Sequence, residues 1–517
     1  MRNLHPTTAR REVVYHADAS ALFDFVGGAT ARDAVLLESA DITTRSGLQS
    51  VAVLDASLRV TCNGQRVTVE PLTPSGEVLA ERLAEQLVDF AAADGVYEFA
   101  APDAATATDE RERLTAPSSA EVLRALTTGA GYHEGDFPFL AGGIAFDYLA
   151  TFETLPEVRE GANTYPDYQF VLAETLLHID HKNQTAHVAG IRFDGTEPEL
   201  DELVSTINSA DPTERPVATG DGTLTVDASI GDEAFRVDVD KLKANIYNGD
   251  IYQVVPARSF TTSCPDAFAA YQQLRASNPS PYMFYLRGVD RAGQPYELFG
   301  ASPESNLKFN AETRQVELYP IAGTRPRGLN PDGSVNHELD TRMELQLRTD
   351  AKEVAEHTML VDLARNDMAR VAEPGTRRVA ELLQVDHYSR VMHLVSRVTA
   401  RLAEDLDALD AYRACMNMGT LTGAPKLRAT ELIRELEGQR RGSYGGAVGY
   451  LTGTGDMDTC IVIRSAFVTA GTAAVQAGAG VVRDSDPQAE ADETFHKAHA
   501  VLAAIAAAAG ATLEVNK

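Results

Sequence analysis

The fold class is decided by the stretch Gly445-Gly-Ala-Val-Gly-Tyr-Leu451 and by the two apolar runs that follow it, Cys460–Thr469 and Ala473–Val482. Short apolar runs with glycine-rich turns between them are typical of an antiparallel meander. Asp486-Pro487 then predicts a final helix, with aspartate as N-cap and proline at the first helical position. Strand runs and helix runs without regular alternation predict an α+β fold rather than a doubly wound parallel sheet.

The segments upstream of this meander extend the same pattern. Asp232–Asn248 and Asp350–Val371 are predicted helices, and Ile251–Phe260 is a predicted buried strand. In the first half, Asn63-Gly64 lies between two alternating runs and predicts a hairpin, and a second hairpin is predicted over Tyr168–Ile191. Pro74–Ala93 has helical periodicity, whereas the polar stretch Ala101–Ala116 is a predicted loop.

A stretch rich in Asp, Pro, Gly and Thr runs from Asn208 to Asp232. This composition is typical of a linker. We therefore predict two domains, residues 1–230 and residues 231–517.

Composition limits the function. The 517 residues carry 46 basic and 75 acidic side chains, a net charge of −29, and this charge disfavours nucleic acid and anionic membranes as partners. The four cysteines are far apart, which predicts neither a disulfide framework nor a zinc site. Residues 1–16 lack the apolar stretch of a secretory signal, and no apolar run is long enough for a membrane span. We expect a cytoplasmic protein.

Two pairs of glutamates have helical spacing. Glu353 and Glu356 lie on one predicted helix, and Glu490 and Glu493 on another. Residues three apart share a helix face, so each pair presents two carboxylates in one direction, as a Mg²⁺ site requires. Surface helices also carry glutamates, and Glu353 suits a capping box, so the spacing leaves both interpretations open.

Several other residues are ambiguous when considered alone. The glycines of 445–449 and 478–482 permit either close approach to an anion or tight packing of the sheet. Arg464, flanked by apolar residues, suits either a ligand carboxylate or an internal salt bridge. His393 has the pattern of a core histidine, and Glu304, after Ser302-Pro303, that of a helix cap.

Taken together and in order, the motifs resemble the chorismate-utilising enzyme family, and its anthranilate synthase large subunits most of all. The matching stretches are Leu36–Ser39, Gly142-Gly143, Gly249–Pro256, Gly300–Glu304, Pro320–Gly328, Glu356–Asp367, His393–Ser396, Gly419–Lys426, Gly445–Tyr450 and Gly478–Gly480. The resemblance implies an antiparallel β-sandwich core with helices outside and a smaller N-terminal α+β domain packed on it. It also implies Mg²⁺-dependent amination of chorismate by ammonia, with loss of pyruvate, to give anthranilate for tryptophan biosynthesis.

The resemblance implies a role for each matching residue. Glu304 would be the general acid and His393 would assist the elimination. The implied catalytic set is Glu304, His393, Thr420 and Gln253; the substrate-binding set is Gly323, Thr324, Tyr444, Arg464, Gly478, Ala479, Gly480 and Lys497. The implied metal ligands are Glu356 and Glu493, supported by Glu353 and Glu490.

Two positions separate branches of the family. Water-using members carry a lysine where this chain has Gln253, and the folate-branch aminodeoxychorismate synthases carry a lysine where it has Ala322. Both differences favour anthranilate, with the folate branch as the alternative. None of the four cysteines has the Gly-x-Cys-x-Gly setting of a glutamine amidotransferase, so a separate component II is expected to supply ammonia. The family also implies a heterotetramer of two large and two small subunits.

A regulatory site is implied by the same resemblance. Leu36–Ser39 and Asn278–Phe284 match the tryptophan feedback pocket of the family, through Ser39, Pro281, Tyr282 and Met283. An ordinary strand and turn would have the same local pattern. The alternative from another functional class is a tryptophan-sensing binding module without turnover.

Overall fold

We describe residues 6–39, 48–101, 109–218, 220, 222–388 and 390–516 of the chain in a computed structural model. In this part of the chain the helices are α1 (Ala19–Phe25), α2 (Pro74–Gln86), α3 (Glu110–Thr115), α4 (Ala120–Leu126), α5 (Asp201–Ser209), α6 (Asp232–Asn248), α7 (Ala267–Ser277), α8 (His337–Thr349), α9 (Ala351–Ala369), α10 (Ala408–Cys415), α11 (Lys426–Glu437) and α12 (Pro487–Ala508).

The strands of the same part are β1 (Thr7–Val13), β2 (Ala34–Glu38), β3 (Gln49–Asn63), β4 (Arg66–Pro71), β5 (Ala91–Ala93), β6 (Val96–Glu98), β7 (Phe139–Ile144), β8 (Tyr168–Asp180), β9 (Thr185–Arg192), β10 (Gly222–Ala228), β11 (Gln253–Val254), β12 (Ala257–Ser263), β13 (Tyr282–Val289), β14 (Pro295–Ser302), β15 (Ser305–Asn310), β16 (Gln315–Leu318), β17 (Ile321–Pro326), β18 (Arg378–His387), β19 (Val391–Arg401), β20 (Gly423–Ala424), β21 (Ala447–Thr452), β22 (Met457–Ile461), β23 (Ser465–Thr469), β24 (Thr472–Gly478) and β25 (Ala511–Asn516).

Nearly all these strands belong to two antiparallel sheets that share β3 and β8. Sheet 1 has the order β5-β6-β4-β3-β8-β7-β21-β22-β15-β16-β19. One edge of β19 pairs with both β16 and β17, and its other edge pairs with β18. Sheet 2 has the order β1-β9-β8-β3-β2-β13-β14-β23-β24-β12-β10, and β25 adds to β10 in parallel.

The two shared strands turn from one sheet into the other at their midpoints. The first half of β3 pairs with β2 and its second half with β4, and the register between β3 and β8 shifts between Val53 and Leu58. Such bulges bend a strand, and strands that switch sheets in this way make the corners of a β-sandwich. The two sheets therefore face each other.

The interior of the sandwich is one layer of apolar side chains that both sheets contribute. Strand β13 shows the pattern: Phe284 and Leu286 point into the layer between the sheets, whereas Met283 and Tyr285 pack under the helices outside. Helices α1, α7 and α12 cover sheet 2, and α2, α4, α9 and α10 cover sheet 1. The predicted α+β sandwich with outer helices is confirmed.

Several sequence-based predictions of single elements are confirmed. Helix α6 has the predicted bounds, Asp486 accepts a hydrogen bond from the Ala489 N–H at 2.9 Å, and Pro487 is the first residue of α12. Both hairpins are present, although the first turns on Gly64 and Gln65 rather than on Asn63 and Gly64.

Three predictions of elements were wrong. The single strand over 251–260 is two strands, because Pro256 lies between β11 and β12. The run 460–469 is also two strands, because Arg464 adopts a left-handed φ of 50° and the chain passes there from sheet 1 to sheet 2. The predicted loop 101–116 contains α3, while residues 102–108 lie outside the described residues.

Hydrogen-bonded ladders cross the predicted domain boundary at residue 230. Strand β2 pairs with β13, and β7 pairs with β21. The predicted linker also contains β10, which lies in sheet 2. Strands from both sides of residue 230 thus share each sheet, and the division itself stays a prediction.

The described residues include no helix that is long and apolar enough to cross a membrane. All four cysteines are buried, and none forms a disulfide.

Phe467 tests the apolar layer between the sheets. Its ring is 1% exposed and stacks on Tyr296 with ring centroids 5.3 Å apart. Phe467→Ala should lower the free energy of unfolding by about 3–5 kcal/mol, because it removes buried surface and leaves a cavity. Urea denaturation measures the change. Phe25→Ala, at a ring that is 51% exposed, is the control and should cost less than about 1 kcal/mol; equal losses would contradict the sandwich core.

Candidate active site

One cavity of about 380 Å³, the central cavity, gathers residues from elements that are far apart in the chain. Its lining comprises Gln253, Pro303, Glu304, Ile321, Ala322, Gly323, Thr324, Lys352, Glu353, Glu356, Leu360, His393, Thr420, Leu421, Tyr444, Ile463, Arg464, Gly478, Gly480, Glu490, Glu493 and Lys497. Every residue predicted for catalysis, substrate or metal lies there, with the exception of Ala479.

Helices α9 and α12 bring the two glutamate pairs to this cavity. Helix α9 begins after Asp350, whose carboxylate accepts from the N–H groups of Lys352 and Glu353 at 3.0 and 3.2 Å. Helix α12 begins after its own aspartate N-cap. Each pair therefore lies in the first two turns of a well-capped helix and faces the same space.

Two carboxylate oxygens in the central cavity are buried without a hydrogen-bond partner, Glu356 Oε1 and Glu490 Oε2. The Lys352 ammonium is 3.8 Å from Glu356 Oε1, beyond hydrogen-bond distance. Burial raises the pKa of both carboxyl groups, and the charge of Glu493 raises both further. These carboxylates lack a sufficient positive partner, which is the environment that a divalent cation relieves.

The other two glutamates already have cationic partners. Lys497 Nζ is 2.6 Å from Glu493 Oε1 and donates to the Gly478 carbonyl at 3.0 Å. Burial raises the pKa of Glu493, but Lys497 more than offsets this, and the net pKa is lowered. Arg325 donates to Glu353 at 2.7 Å, so this carboxylate is less free to bind a metal directly.

No group of three or more His, Cys, Asp or Glu side chains in the described part of the chain is placed to hold a metal ion by itself. The residues nevertheless fit Mg²⁺, because this ion commonly takes only one or two protein carboxylates and completes its shell with water and substrate oxygens. The two unpartnered oxygens of Glu356 and Glu490 are consistent with such an open site.

Glu304 lies between β14 and β15 and is 6% exposed. Burial raises the pKa of its carboxyl group to about 8, although the Thr420 hydroxyl donates to Oε1 at 3.2 Å and lowers it. Glu304 is therefore protonated at neutral pH and can donate a proton into the cavity.

Arg464 occupies the corner between β22 and β23, where its left-handed backbone turns the side chain into the cavity. Among the described residues, no carboxylate forms an ion pair with its guanidinium. Burial lowers its pKa, yet an arginine keeps its charge in proteins. Arg464 is thus a cation available to an anionic ligand. Tyr444 lines the same cavity as Arg464, and burial raises the pKa of its phenol to about 12.

His393 lies on β19, with Nδ1 2.9 Å from the Thr324 hydroxyl. Burial, helped by the nearby Arg464 charge, lowers its pKa to about 4, so the imidazole is neutral and can accept a proton. Gly323, next to Thr324 in β17, has a φ of 92°, which a residue with a side chain rarely adopts.

Gly478, at the end of β24, allows the backbone at Pro256 to approach closely at one wall of the cavity. A Cβ at Gly478 would lie 2.8 Å from the Pro256 carbonyl oxygen. Gln253 lines this wall, and its buried Oε1 has no hydrogen-bond partner. The prediction for Ala479 does not fit the geometry: its N–H donates to the Pro256 carbonyl at 3.1 Å, so it is not available to a ligand.

A family model described as chorismate binding enzyme matches residues 78–503. The chain belongs to the chorismate binding enzyme family. It is 50% identical over 508 residues to anthranilate synthase component 1 of Vibrio cholerae, covering 96% of this chain and 95% of the relative. It is 48% identical to the Escherichia coli protein of the same name, covering 96% of both chains. The crystal structure of anthranilate synthase component I from Streptococcus pneumoniae matches with a TM-score of 0.68 and 28% identity, over 89% of this chain and 93% of that one.

These comparisons confirm the predicted family and fold class of this chorismate binding enzyme. The roles of its individual residues remain predictions. Among the remaining predicted residues, Ser39, Pro281, Tyr282 and Met283 line a separate cavity of about 210 Å³, the side cavity. Its other walls include Lys308 of β15, Tyr450 of β21 and Asp458 of β22.

Three further residues that were not predicted from the sequence shape the central cavity of this chorismate binding enzyme. Lys352 and Arg325 supply positive charge next to the glutamates. His357, on α9, contacts the backbone of the cavity wall. The position of Lys352 four residues before Glu356 was a usable signal for an ion pair, but nothing in the sequence indicated the contacts of Arg325 and His357.

The protonated state of Glu304 can be observed directly. Difference infrared spectroscopy should show a protonated-carboxyl band that disappears as the pH rises through about 8. Thr420→Val should move this titration to higher pH, because it removes a hydrogen bond that stabilises the carboxylate. Glu304→Gln is the control that abolishes the band. A band lost already near pH 4.5 would contradict the assignment.

Proposed function

We propose that this chain is the chorismate-converting component of an anthranilate synthase, which acts in tryptophan biosynthesis. The observation that carries the proposal is a central cavity that combines a protonated Glu304, a neutral His393 and an unpaired Arg464 with the two glutamate pairs. The near-half identity to component 1 proteins along almost the whole chain supports it.

The cavity suits a dianion. Chorismate carries a ring carboxylate and an enolpyruvyl carboxylate; Arg464 and Tyr444, helped by the N–H groups near Gly478 and Gly480, bind the enolpyruvyl group. Gly323, Thr324 and Lys497 line the same space. Glu356 and Glu493 would hold Mg²⁺, with Glu353 and Glu490 in support, and the ion would supply positive charge for the ring carboxylate.

Glu304 and His393, which can give and accept protons, suit the two steps of the reaction, amination and elimination. Ammonia adds to the ring while Glu304 gives its proton to the departing ring hydroxyl, which leaves as water by allylic displacement. The added nitrogen then loses one proton, which the Glu304 carboxylate can take back. In the second step the ring loses a proton, the bond between the ring carbon and the enolpyruvyl oxygen breaks, and the departing enolpyruvate takes up a proton to become pyruvate. Neutral His393 can accept a proton in this step, and the aromatic product favours completion.

The nucleophile is inferred from two positions on the cavity wall. Both Gln253 and Ala322 line the central cavity, so a lysine at either position would reach the substrate. A glutamine cannot serve as the base that activates water, and an alanine cannot act as a nucleophile. The pair therefore supports free ammonia as the nucleophile.

Ammonia comes from another protein in this proposal. Burial raises the pKa of all four cysteine thiols, Cys62, Cys264, Cys415 and Cys460, which makes each a poor nucleophile. A separate component II, a glutamine amidotransferase, would dock and deliver ammonia. We propose two copies of each component in the assembly.

Product identification tests the activity. The purified chain, mixed with chorismate, Mg²⁺ and ammonium salt, should produce fluorescent anthranilate. Formation of 4-amino-4-deoxychorismate would favour the folate-branch alternative instead. Calorimetric binding of tryptophan without any turnover would favour a sensor module.

Glu356→Gln tests the metal site. Loss of one carboxylate charge should lower Mg²⁺-dependent kcat/KM at least about 100-fold, with the unfolding midpoint unchanged. Asp362→Asn, at a 62% exposed carboxylate on the same helix, is the matched control and should keep activity within about twofold. Near-normal activity of Glu356→Gln would remove Glu356 from the metal site.

We also propose that the side cavity binds tryptophan as a feedback inhibitor. Its walls combine apolar surface with Asp458, a partly buried carboxyl group that contacts Tyr282 Oη at 3.3 Å and Lys308 Nζ at 3.4 Å. Ser39 Oγ donates to the Pro281 carbonyl at 2.9 Å and joins β2 to the start of β13.

Two strands of the side cavity begin or end next to residues of the central cavity, which offers a route for inhibition. Strand β22 carries Asp458 in the side cavity and ends three residues before Arg464. Strand β15 carries Lys308 and begins directly after Glu304. A ligand that shifts these strands would shift both central residues, so tryptophan could bias the active site without touching it.

Ser39→Phe tests the feedback site. The added ring should fill part of the side cavity, leave activity without tryptophan within about twofold, and raise the inhibiting tryptophan concentration at least about tenfold. Ser205→Phe, at an exposed residue of α5, is the control that should stay sensitive. An unchanged inhibition curve would exclude Ser39 from the pocket.

A further inference from the structure

His357 follows Glu356 on α9 but points away from the central cavity, into the sheet, where it is fully buried. Its Nδ1 lies 3.0 Å from the carbonyl oxygen of Ala322, and its Nε2 lies 2.7 Å from Ser396 Oγ. Ser396 Oγ in turn accepts from the Leu383 N–H at 3.0 Å. The imidazole therefore connects α9 with three neighbouring strands, β17, β19 and β18.

The directions of these hydrogen bonds select one tautomer. A carbonyl oxygen only accepts, so Nδ1 must carry a proton. Neither partner of the ring is charged, and a neutral imidazole has one N–H, so Nε2 accepts from the Ser396 hydroxyl. The order of donation is then Leu383 N–H to Ser396, Ser396 to His357, and His357 to Ala322.

This order of donation ends at an irregular part of the cavity wall. The register of β17 against β19 shifts between Ile321 and Thr324, which leaves Ala322 and Gly323 outside the regular ladder. A buried carbonyl without a ladder partner needs another donor. His357 supplies it, next to a glycine with a left-handed φ of 92°.

The other end of the network holds a second irregularity. Strand β18 shifts register between Glu381 and Gln384, and Leu383 there has a left-handed φ of 53°. Its N–H donates to Ser396, and its carbonyl accepts from Arg348 of α8 at 3.0 Å. Strained backbone persists only where its surroundings determine it, and this network is part of those surroundings.

We infer that His357 is a positioning residue, which holds the Ala322–Thr324 segment in the shape that binds chorismate through the Nδ1–H···O=C bond. The inference rests on the proposed function for its kinetic consequences. Ala322, Gly323 and Thr324 all line the central cavity, and Thr324 also contacts His393. A displacement of about 1 Å at such a wall can cost about 100-fold in rate.

A pair of substitutions separates positioning from simple packing. In His357→Asn the amide N–H takes the place of Nδ1–H, whereas His357→Leu fills the space without a donor. Both should lower the unfolding midpoint by similar amounts. The leucine variant should lower kcat/KM for chorismate about 30- to 100-fold and raise KM, and the asparagine variant should recover to within about fivefold of the parent.

His181→Leu is the matched control, because His181 is a half-buried histidine that also contacts a serine, Ser50, at 2.8 Å from Nε2. It should leave kcat/KM within about twofold of the parent. A His357→Leu enzyme within threefold of the parent, or asparagine and leucine variants with equal losses, would overturn the inference.

A spectroscopic readout keeps the test independent of activity. In the parent chain labelled with ¹⁵N-histidine, long-range proton–nitrogen correlation should show a ring protonated at Nδ1, and this signal should be absent from His357→Asn. A ring protonated at Nε2 would overturn the inference. If the parent makes no anthranilate, the proposed function fails, while this measurement still decides the tautomer.

Discussion

The central cavity buries more carboxylic acids than cations, and burial together with the nearest cation decides the state of each acid. Five carboxylic acids line it, Glu304, Glu353, Glu356, Glu490 and Glu493, against the cations Lys352, Arg464 and Lys497. Burial makes each unpaired charge costly, so the acids differ in state. Glu304 stays protonated, Glu493 is paired with Lys497, and Glu356 and Glu490 keep oxygens without partners. This distribution leaves room for a divalent cation at one end of the cavity and an anion at the other.

The β-sandwich makes this concentration of charge possible. Helices α9 and α12 pack on different sheets, and sheets 1 and 2 meet where β3 and β8 pass from one to the other. At Arg464 the chain makes the same passage between β22 and β23. A guanidinium at that corner faces both glutamate-bearing helices, which no single sheet could arrange. The left-handed backbone of Arg464 is consistent with a residue retained for its position.

The cavity wall is irregular where the substrate is proposed to lie, and its hydrogen bonds come from outside the ladder. Gly323 and Leu383 both have left-handed backbones, and the His357–Ser396 pair lies between them. Side chains of three elements, α8, α9 and β19, bind the backbone of this wall where the regular ladder is interrupted. The side cavity is lined by the regular β2–β13 and β21–β22 ladders and by β15, which shifts register against β22 between Ser305 and Lys308. This cavity lies next to the central one along the chain, because β15 begins directly after Glu304 and β22 ends three residues before Arg464. It is therefore well placed to transmit a small shift.

The sequence by itself determined the local elements and the family. The bounds of α6, the cap of α12 and the two hairpins depend on neighbours within a few residues, so their patterns were sufficient. The i, i+3 spacing of the glutamate pairs gave their common faces, and the resemblance supplied the remaining site residues. The break at Pro256 follows from the proline itself, which the sequence shows. Tertiary structure alone decided the break at Arg464, the partners of Glu353 and His357, and the pKa of Glu304. Each of these is set by burial and by contacts with residues distant in the chain, and such contacts leave no periodic signal in the sequence.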